Sequence, residues 1–136
     1  MIGRASAGFS ATLVLAAVSA LHVYWARGGQ RFAANAIPTR NGKPTMNPGP
    51  AATYTVAGLL ATAGLAGALS TARIGGRLPR LLAAGAGLVF LLRAMGDFRV
   101  LGFFKKERST EFAKLDTRVY SPICLVLGPS LLRSAR

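Results

Sequence analysis

Arg93 and Asp97 are the charged residues whose spacing most directly suggests chemistry in this chain of 136 residues. Side chains four residues apart in a helix lie on one face, so an arginine and an aspartate at this spacing can form an ion pair. The surrounding sequence is apolar, and a charge in such a helix normally faces the protein interior with a partner. We therefore predict an Arg93–Asp97 pair that is either a structural ion pair or part of a ligand-binding or catalytic site.

A second group of residues could supply acid/base chemistry. His22 is the only histidine, and Trp25 follows it by three residues, on nearly the same face of a helix. If antiparallel packing brings His22, Asp97 and Tyr120 to one end of a bundle, their imidazole, carboxylate and phenol groups would form an acid/base set. The full candidate polar cluster consists of His22, Trp25, Arg93, Asp97, Arg99, Asp116 and Tyr120.

Composition excludes several common kinds of site. With one histidine and one cysteine, Cys124, the chain offers no ordinary transition-metal site and no internal disulfide. It also contains no phosphate-binding glycine motif, nucleophile elbow or metalloprotease helix. We therefore expect no metal and no cofactor, and we interpret Cys124 as a small buried hydrophobic residue.

Four apolar segments must position these residues, at 5–26, 51–72, 78–98 and about 115–132. As a helix, the uncharged second segment would be about 33 Å long, close to the hydrocarbon thickness of a bilayer. The first segment also resembles a secretion signal, but its apolar run continues through Trp25, which favours a retained helix. The segments predict an all-α integral membrane protein, a four-helix bundle that forms a single transmembrane domain over residues 1–136 and crosses the cell membrane several times.

The distribution of charge supports a membrane partner. Seventeen lysines and arginines against four acidic residues give a net charge of +13, which would normally suggest nucleic acid. These cations lie at segment ends, where they meet lipid headgroups, so we expect the lipid bilayer as a partner and no nucleic acid. Eleven of them belong to the first and third loops, which places those loops in the cytoplasm, although the arginines of residues 73–80 favour the opposite orientation.

The connecting regions show which helices are neighbours. Gly28 and Gly29 end the first helix, and the prolines and the Asn41-Gly42 turn that follow predict a loop up to residue 50. Small residues recur through 51–72 and in the first half of 78–98, so these two helices should pack closely. Their short linker makes them antiparallel.

The region before the last helix is expected to hold a short amphipathic helix in the membrane interface, within an interfacial segment at about 103–119. Its apolar residues Phe112, Leu115 and Val119 recur at helical spacing, opposite charged residues. Ser121-Pro122 is a suitable helix start, but residues 122–132 alone would be only about 16 Å long. The fourth helix therefore begins near Leu115 and bends at Pro122, which we prefer, or enters the membrane only partly.

Several stretches resemble one bacterial membrane family. They are HVYWARGG at 22–29, PGP at 48–50, LRAMGDFR at 92–99, GFFK at 102–105, TEFAKLDT at 110–117 and YSP at 120–122. Through them the sequence resembles, over nearly its whole length, the family catalogued as domain of unknown function 3995. The resemblance implies a small four-helix integral membrane protein, and it supplies no activity.

Two classes of function remain open. One is a non-enzymatic membrane protein that binds an anionic lipid or another membrane subunit through the face formed by loops 27–50 and 93–121. The other is a membrane-embedded enzyme for a lipidic or quinone-like substrate, with His22, Asp97 and Tyr120 as acid/base groups. In that enzyme Arg93 or Arg99 would hold an anionic group. A small transporter is disfavoured because only the third helix carries charges at depth.

Overall fold

A computed structural model describes residues 3–136, except for the side chain of Arg4. In this structure the chain is mostly helical. Three long helices come first: α1 (Arg4–Ala26), α2 (Pro50–Ala72) and α3 (Arg77–Met95). The last helical stretch consists of α4 (Glu111–Leu115), a π-helical turn (Asp116–Tyr120) and α5 (Ser121–Ser134). Between α1 and α2 the strands β1 (Thr39–Arg40) and β2 (Lys43–Pro44) form a small antiparallel hairpin.

The structure corrects the predicted helix limits in two places. Helix α3 ends at Met95 rather than at residue 98, because Gly96 leaves the helical conformation with a φ of 91°. The predicted amphipathic segment is not a separate helix, since α4 continues through the π turn into α5 without a break. A π turn bonds residues five apart and so shifts the helix face. As a result Val119 is exposed, whereas Asp116 is buried.

The long helices form a closed antiparallel ring in which α1 contacts α2, α2 contacts α3, α3 contacts α5, and α5 contacts α1. Two hydrogen bonds fix the antiparallel register of α1 and α2. The Ser19 hydroxyl donates to the carbonyl of Ala57 at 2.7 Å, and the Thr12 hydroxyl donates to that of Gly64 at 2.9 Å. Residues 27–50 and 93–121 consequently meet at one end of the bundle, and we name this end the loop face.

Small side chains make up most of the bundle interior, and most of the large apolar side chains lie on its outside. The core cluster consists of Ala11, Leu15, Ala63, Leu127 and Leu131. More than half of the surface is exposed on each of Leu13, Leu59, Leu65, Leu81, Leu88, Leu92 and Val126. This distribution reverses that of a water-soluble helical bundle, which buries its large aliphatic side chains. Within residues 3–136, three helices are long and apolar enough to cross a membrane: Ala5–Ala26, Pro50–Ala72 and Arg77–Met95.

Helices α3 and α5 approach each other closely where Gly87 faces Gly128. A Cβ atom placed on Gly87 would lie 2.8 Å from the carbonyl oxygen of Gly128, and one placed on Gly128 would lie 2.9 Å from that of Gly87. These separations are shorter than a carbon–oxygen contact allows. The two backbones therefore touch only because neither residue has a side chain.

We expect Gly87→Ala to lower the stability of the bundle, because the added methyl group would force α3 and α5 apart at a cost of about 1–3 kcal/mol. Gly85→Ala is the matched control in the same helix, since no atom lies within 4 Å of the added Cβ. Alanine favours helix over glycine by up to about 1 kcal/mol, so this control should be neutral or stabilising. Thermal unfolding in detergent measures both variants, and equal midpoints would contradict the close approach.

Candidate functional site

Four polar groups of the loop face converge on Asp116, whose side chain is fully buried at the start of the π turn. Its Oδ1 accepts hydrogen bonds from Arg93 Nη2 at 2.8 Å and from the Ser121 hydroxyl at 3.1 Å. Its Oδ2 accepts from the backbone N–H of Gly102 at 2.7 Å and lies 3.2 Å from Lys105 Nζ. These five residues, named here the Asp116 cluster, join α3, the loop after it and the last helix.

Lys105 supplies a second buried charge. No part of its side chain is exposed, and its ammonium donates to the carbonyl of Gly102 at 2.8 Å and to the Thr117 hydroxyl in addition to facing Asp116. Burial of such a charge requires polar partners, and the Lys105 ammonium has two hydrogen bonds and one ion-pair contact.

Arg93 is less enclosed than Lys105. It keeps 28% of its side chain exposed, while its Nη1 atom is buried without a hydrogen-bond partner among the described residues. Two cations therefore face the single carboxylate of Asp116. The cluster carries an excess of one positive charge, which Arg93 can share with the surroundings through its exposed part.

Two glycines bring the loop after α3 to Asp116. Gly96 and Gly102 have φ values of 91° and 80°, which disfavour any residue with a side chain. A Cβ atom on Gly102 would overlap the carbonyl of Met95. The backbone N–H of Phe103 donates to the carbonyl of Ala94 at 2.8 Å, so the loop folds back onto the end of α3. This return places the Gly102 N–H beside Asp116.

The predicted Arg93–Asp97 ion pair is wrong. Asp97 lies beyond the end of α3, where four-residue spacing no longer places it on the face of Arg93. Its Oδ1 instead accepts from the backbone N–H groups of Arg99, Val100 and Leu101 at 2.8, 2.9 and 3.0 Å. Partial burial raises the pKa of Asp97, but these amide bonds outweigh that effect and hold its pKa below the ordinary value for aspartate. Asp97 therefore organises the loop.

In the described part of the chain, no hydrogen bond joins any two of the proposed acid/base groups His22, Asp97 and Tyr120. His22 Nδ1 lies 2.8 Å from a carbonyl oxygen one turn earlier in α1, and its ring contacts the Trp25 ring edge-on at 5.0 Å. The Tyr120 hydroxyl donates to the carbonyl of Asn35 at 3.0 Å. His22 thus bonds to the backbone of its own helix, whereas Asp97 and Tyr120 bond to the backbone of two different loops.

Arg99 lines an open cleft between the β1–β2 hairpin and the loop after α3. The cleft has a volume of about 560 Å³ and is lined by Arg40, Asn41, Arg99, Lys106 and Glu107. None of its three cations forms an ion pair with a described residue. We name this feature the basic cleft.

The structure distributes the seven candidate residues over separate places on the loop face. Arg93 and Asp116 meet in the Asp116 cluster, and His22 contacts the backbone of α1 and the ring of Trp25. The remaining candidates cap the loop, line the basic cleft or bond to loop backbone. Sequence reasoning missed Lys105, which lies in an irregular loop without periodicity. Burial of Asp116 had a detectable signal, because it follows Phe112 by four residues on a helix face that is otherwise apolar.

We expect Asp116→Ala to destabilise the protein strongly, because it would leave the buried ammonium of Lys105 without its counter-charge. Removing one partner of a buried pair costs about 3–5 kcal/mol. Glu111→Ala is the control, since the Glu111–Lys114 pair is exposed and such pairs contribute at most about 1 kcal/mol. Thermal unfolding in detergent compares the two variants.

A double variant, Lys105→Met with Asp116→Leu, separates the electrostatic loss from a loss of packing. Apolar residues of similar volume often replace a buried ion pair without a net loss of stability. The double variant should therefore recover much of what Asp116→Ala loses. If Asp116→Ala unfolds at the same temperature as Glu111→Ala, the carboxylate is solvated and the cluster does not hold the loop face.

Comparison with known proteins agrees with the resemblance found in the sequence. The model of a family described as protein of unknown function (DUF3995) matches residues 15–131. The matched region contains all of the Asp116 cluster and of the basic cleft. No curated protein and no solved structure matches the chain. Because the family match covers most of the sequence, the chain belongs to the DUF3995 family.

Proposed function

We propose that this chain is a multi-pass protein of the cell membrane that binds a membrane partner through its loop face. The partner is an anionic lipid or another membrane subunit, and the charges of the loop face favour the lipid. The observation that carries the proposal is the packing, in which most large aliphatic side chains lie on the outside and the interior consists mainly of alanine, glycine and serine around Leu15, Leu127 and Leu131.

A bilayer is the environment in which this packing is stable. In water, the exposed leucines of α1, α2 and α3 would leave a large apolar surface in contact with solvent. In lipid the same side chains contact acyl chains, and small residues at helix contacts allow the backbones to approach and gain dispersion energy. The lengths of the three apolar helices match the hydrocarbon thickness. We propose that α5 crosses with them, because Ile123, Leu125 and Val126 also point outward.

The loop face offers fixed positive charge at one end of this bundle. Among its cations, only Arg93, Lys105 and Lys114 pair with a carboxylate in the described residues. The loop backbone is held in place, since the Trp25 indole donates to the carbonyl of Arg31 at 2.8 Å and Tyr120 bonds to Asn35. Unpaired arginines and lysines on an ordered surface at headgroup depth are suited to anionic lipid.

The enzyme hypothesis gains no support from the site. An acid/base pair must reach a common substrate atom directly or through one water. His22, Asp97 and Tyr120 instead direct their hydrogen bonds to different parts of the backbone. We therefore prefer a binding role.

Insertion and orientation can be tested with single cysteines in a Cys124→Ala background. By the excess of loop-face cations, Ala34→Cys should be cytoplasmic and Ile74→Cys external. Both positions are exposed. In intact cells a membrane-impermeant maleimide should label Ile74→Cys and not Ala34→Cys. The opposite pattern reverses the orientation, and labelling of both positions contradicts a bundle that spans the membrane.

Lipid binding can be tested by native mass spectrometry after mild solubilisation. We expect the purified protein to retain phosphatidylglycerol or cardiolipin above their proportion in the source membrane, because both carry negative headgroups. A stoichiometric protein that copurifies would instead identify a membrane subunit as the partner. Retained lipid that only mirrors the bulk composition, without any copurifying subunit, would contradict the proposed role of the loop face.

A further inference from the structure

We infer that the basic cleft is a binding site for one phosphoryl group. The inference rests on the proposed function and deepens it, by naming the chemical group that the loop face takes and the residues that hold it. Arg40 and Asn41 lie on one wall, and Arg99, Lys106 and Glu107 form the other.

The cleft carries an excess of positive charge, which favours the binding of an anion. Arg40, Arg99 and Lys106 have no carboxylate partner among the described residues, and the single carboxylate in the cleft belongs to Glu107. That carboxylate is engaged elsewhere, because Glu107 Oε1 accepts from both the hydroxyl and the backbone N–H of Ser109. The hydroxyl of Ser109 is the main cause of a lowered pKa of Glu107, to which the Arg40 charge adds slightly. With Glu107 ionised, the cleft keeps an excess of two positive charges.

Backbone contacts hold the wall formed by the hairpin. The turn residues Asn41 and Gly42 have φ values of 53° and 75°, as tight two-residue hairpin turns require. The N–H and the hydroxyl of Thr45 both donate to the carbonyl of Pro38, at 2.9 and 3.0 Å. Arg40 therefore extends from a closed hairpin rather than from a free loop.

The opposite wall is equally well defined. The backbone N–H groups of Lys106 and Glu107 donate to the carbonyl of Arg99 at 3.0 and 2.9 Å, which brings the two parts of the loop together. Asp97 caps the N–H of Arg99, and the neighbouring Lys105 is fixed by Asp116. Because the backbone is already ordered, binding costs little loop entropy, and the cations need only adjust their side chains.

The donor types favour a phosphoryl group over other anions. Two guanidinium groups can each place a pair of N–H donors against phosphate oxygens, and the ammonium of Lys106 adds a compact charge. The amide of Asn41 provides a further donor. A phosphoryl group could come from an anionic lipid headgroup or from a soluble phosphate compound, and both sources offer the same oxygens to the cleft.

The test compares two triple variants that each remove three positive charges from the loop face. The cleft variant is Arg40→Gln, Arg99→Gln and Lys106→Gln, and the control is Arg31→Gln, Lys43→Gln and Arg118→Gln. All six side chains are exposed, so folding should be unaffected, which circular dichroism verifies. If the cleft triple fails to fold, the single variant Arg99→Gln replaces it. Thermophoresis in a neutral detergent then measures binding of phosphatidylglycerol, inorganic phosphate and glycerol 3-phosphate.

We expect the cleft triple to weaken phosphoryl binding by about tenfold or more, because it removes charge-assisted hydrogen bonds, and the control triple by less than about threefold. Phosphatidylglycerol binding without binding of the soluble compounds identifies a lipid headgroup. Binding of inorganic phosphate or glycerol 3-phosphate that the cleft triple loses identifies a soluble ligand. Both results support the site.

Two results would overturn the inference. Equal losses in the two triples would show that surface charge alone attracts the ligand, and the proposed function would still stand. If the wild-type protein binds none of the three phosphoryl probes, the cleft is not a phosphoryl site. The proposed function then falls only if purification also retains neither anionic lipid nor a protein subunit.

Discussion

The carboxylate of Asp116 joins three parts of the chain that would otherwise be independent: the end of α3, the loop after it and the start of the last helix. Its partners Arg93, Gly102, Lys105 and Ser121 come from all three parts. A buried carboxylate is costly unless its oxygens are satisfied, and a buried ammonium is costly unless it is paired. Each group is thus tolerated only in the arrangement that supplies the other. Removal of Asp116 would leave the Lys105 ammonium buried without a counter-charge.

The π turn and the two loop glycines make this meeting possible. An uninterrupted α-helix from Glu111 to Ser134 would present its residues in a regular register. The π turn shifts that register at Asp116, between a buried Phe112 in α4 and a buried Ser121 in α5. On the other side, Gly96 and Gly102 let the chain return tightly over the end of α3. The π turn and these two glycines therefore lie where the buried charges of the protein meet.

The same loop connects the buried cluster to the proposed binding surface. Lys105 is fully buried against Asp116, while the next residue, Lys106, is exposed in the basic cleft. Asp97 accepts a hydrogen bond from the backbone N–H of Arg99 and so stabilises the turn from which Arg99 reaches the basic cleft. Internal electrostatics thus fix the backbone from which the outward cations extend. Small residues and dispersion contacts hold the helices together, and the Asp116 cluster orders the polar end of the bundle.

The sequence by itself determined the helical architecture, the positions of the apolar segments to within a few residues, the family and the Asn41-Gly42 turn. These properties follow from local patterns: hydrophobic length, small-residue spacing, and the conformational preferences of glycine, proline and asparagine. Only the tertiary structure decided the partners of the charged residues. Arg93 and Asp97 were suited to pairing by helical spacing, but α3 ends at Met95, which leaves Asp97 to cap its own loop. Arg93 instead pairs with Asp116, twenty-three residues later in the chain. Such a choice depends on where an irregular loop returns, and that is not encoded in a local pattern.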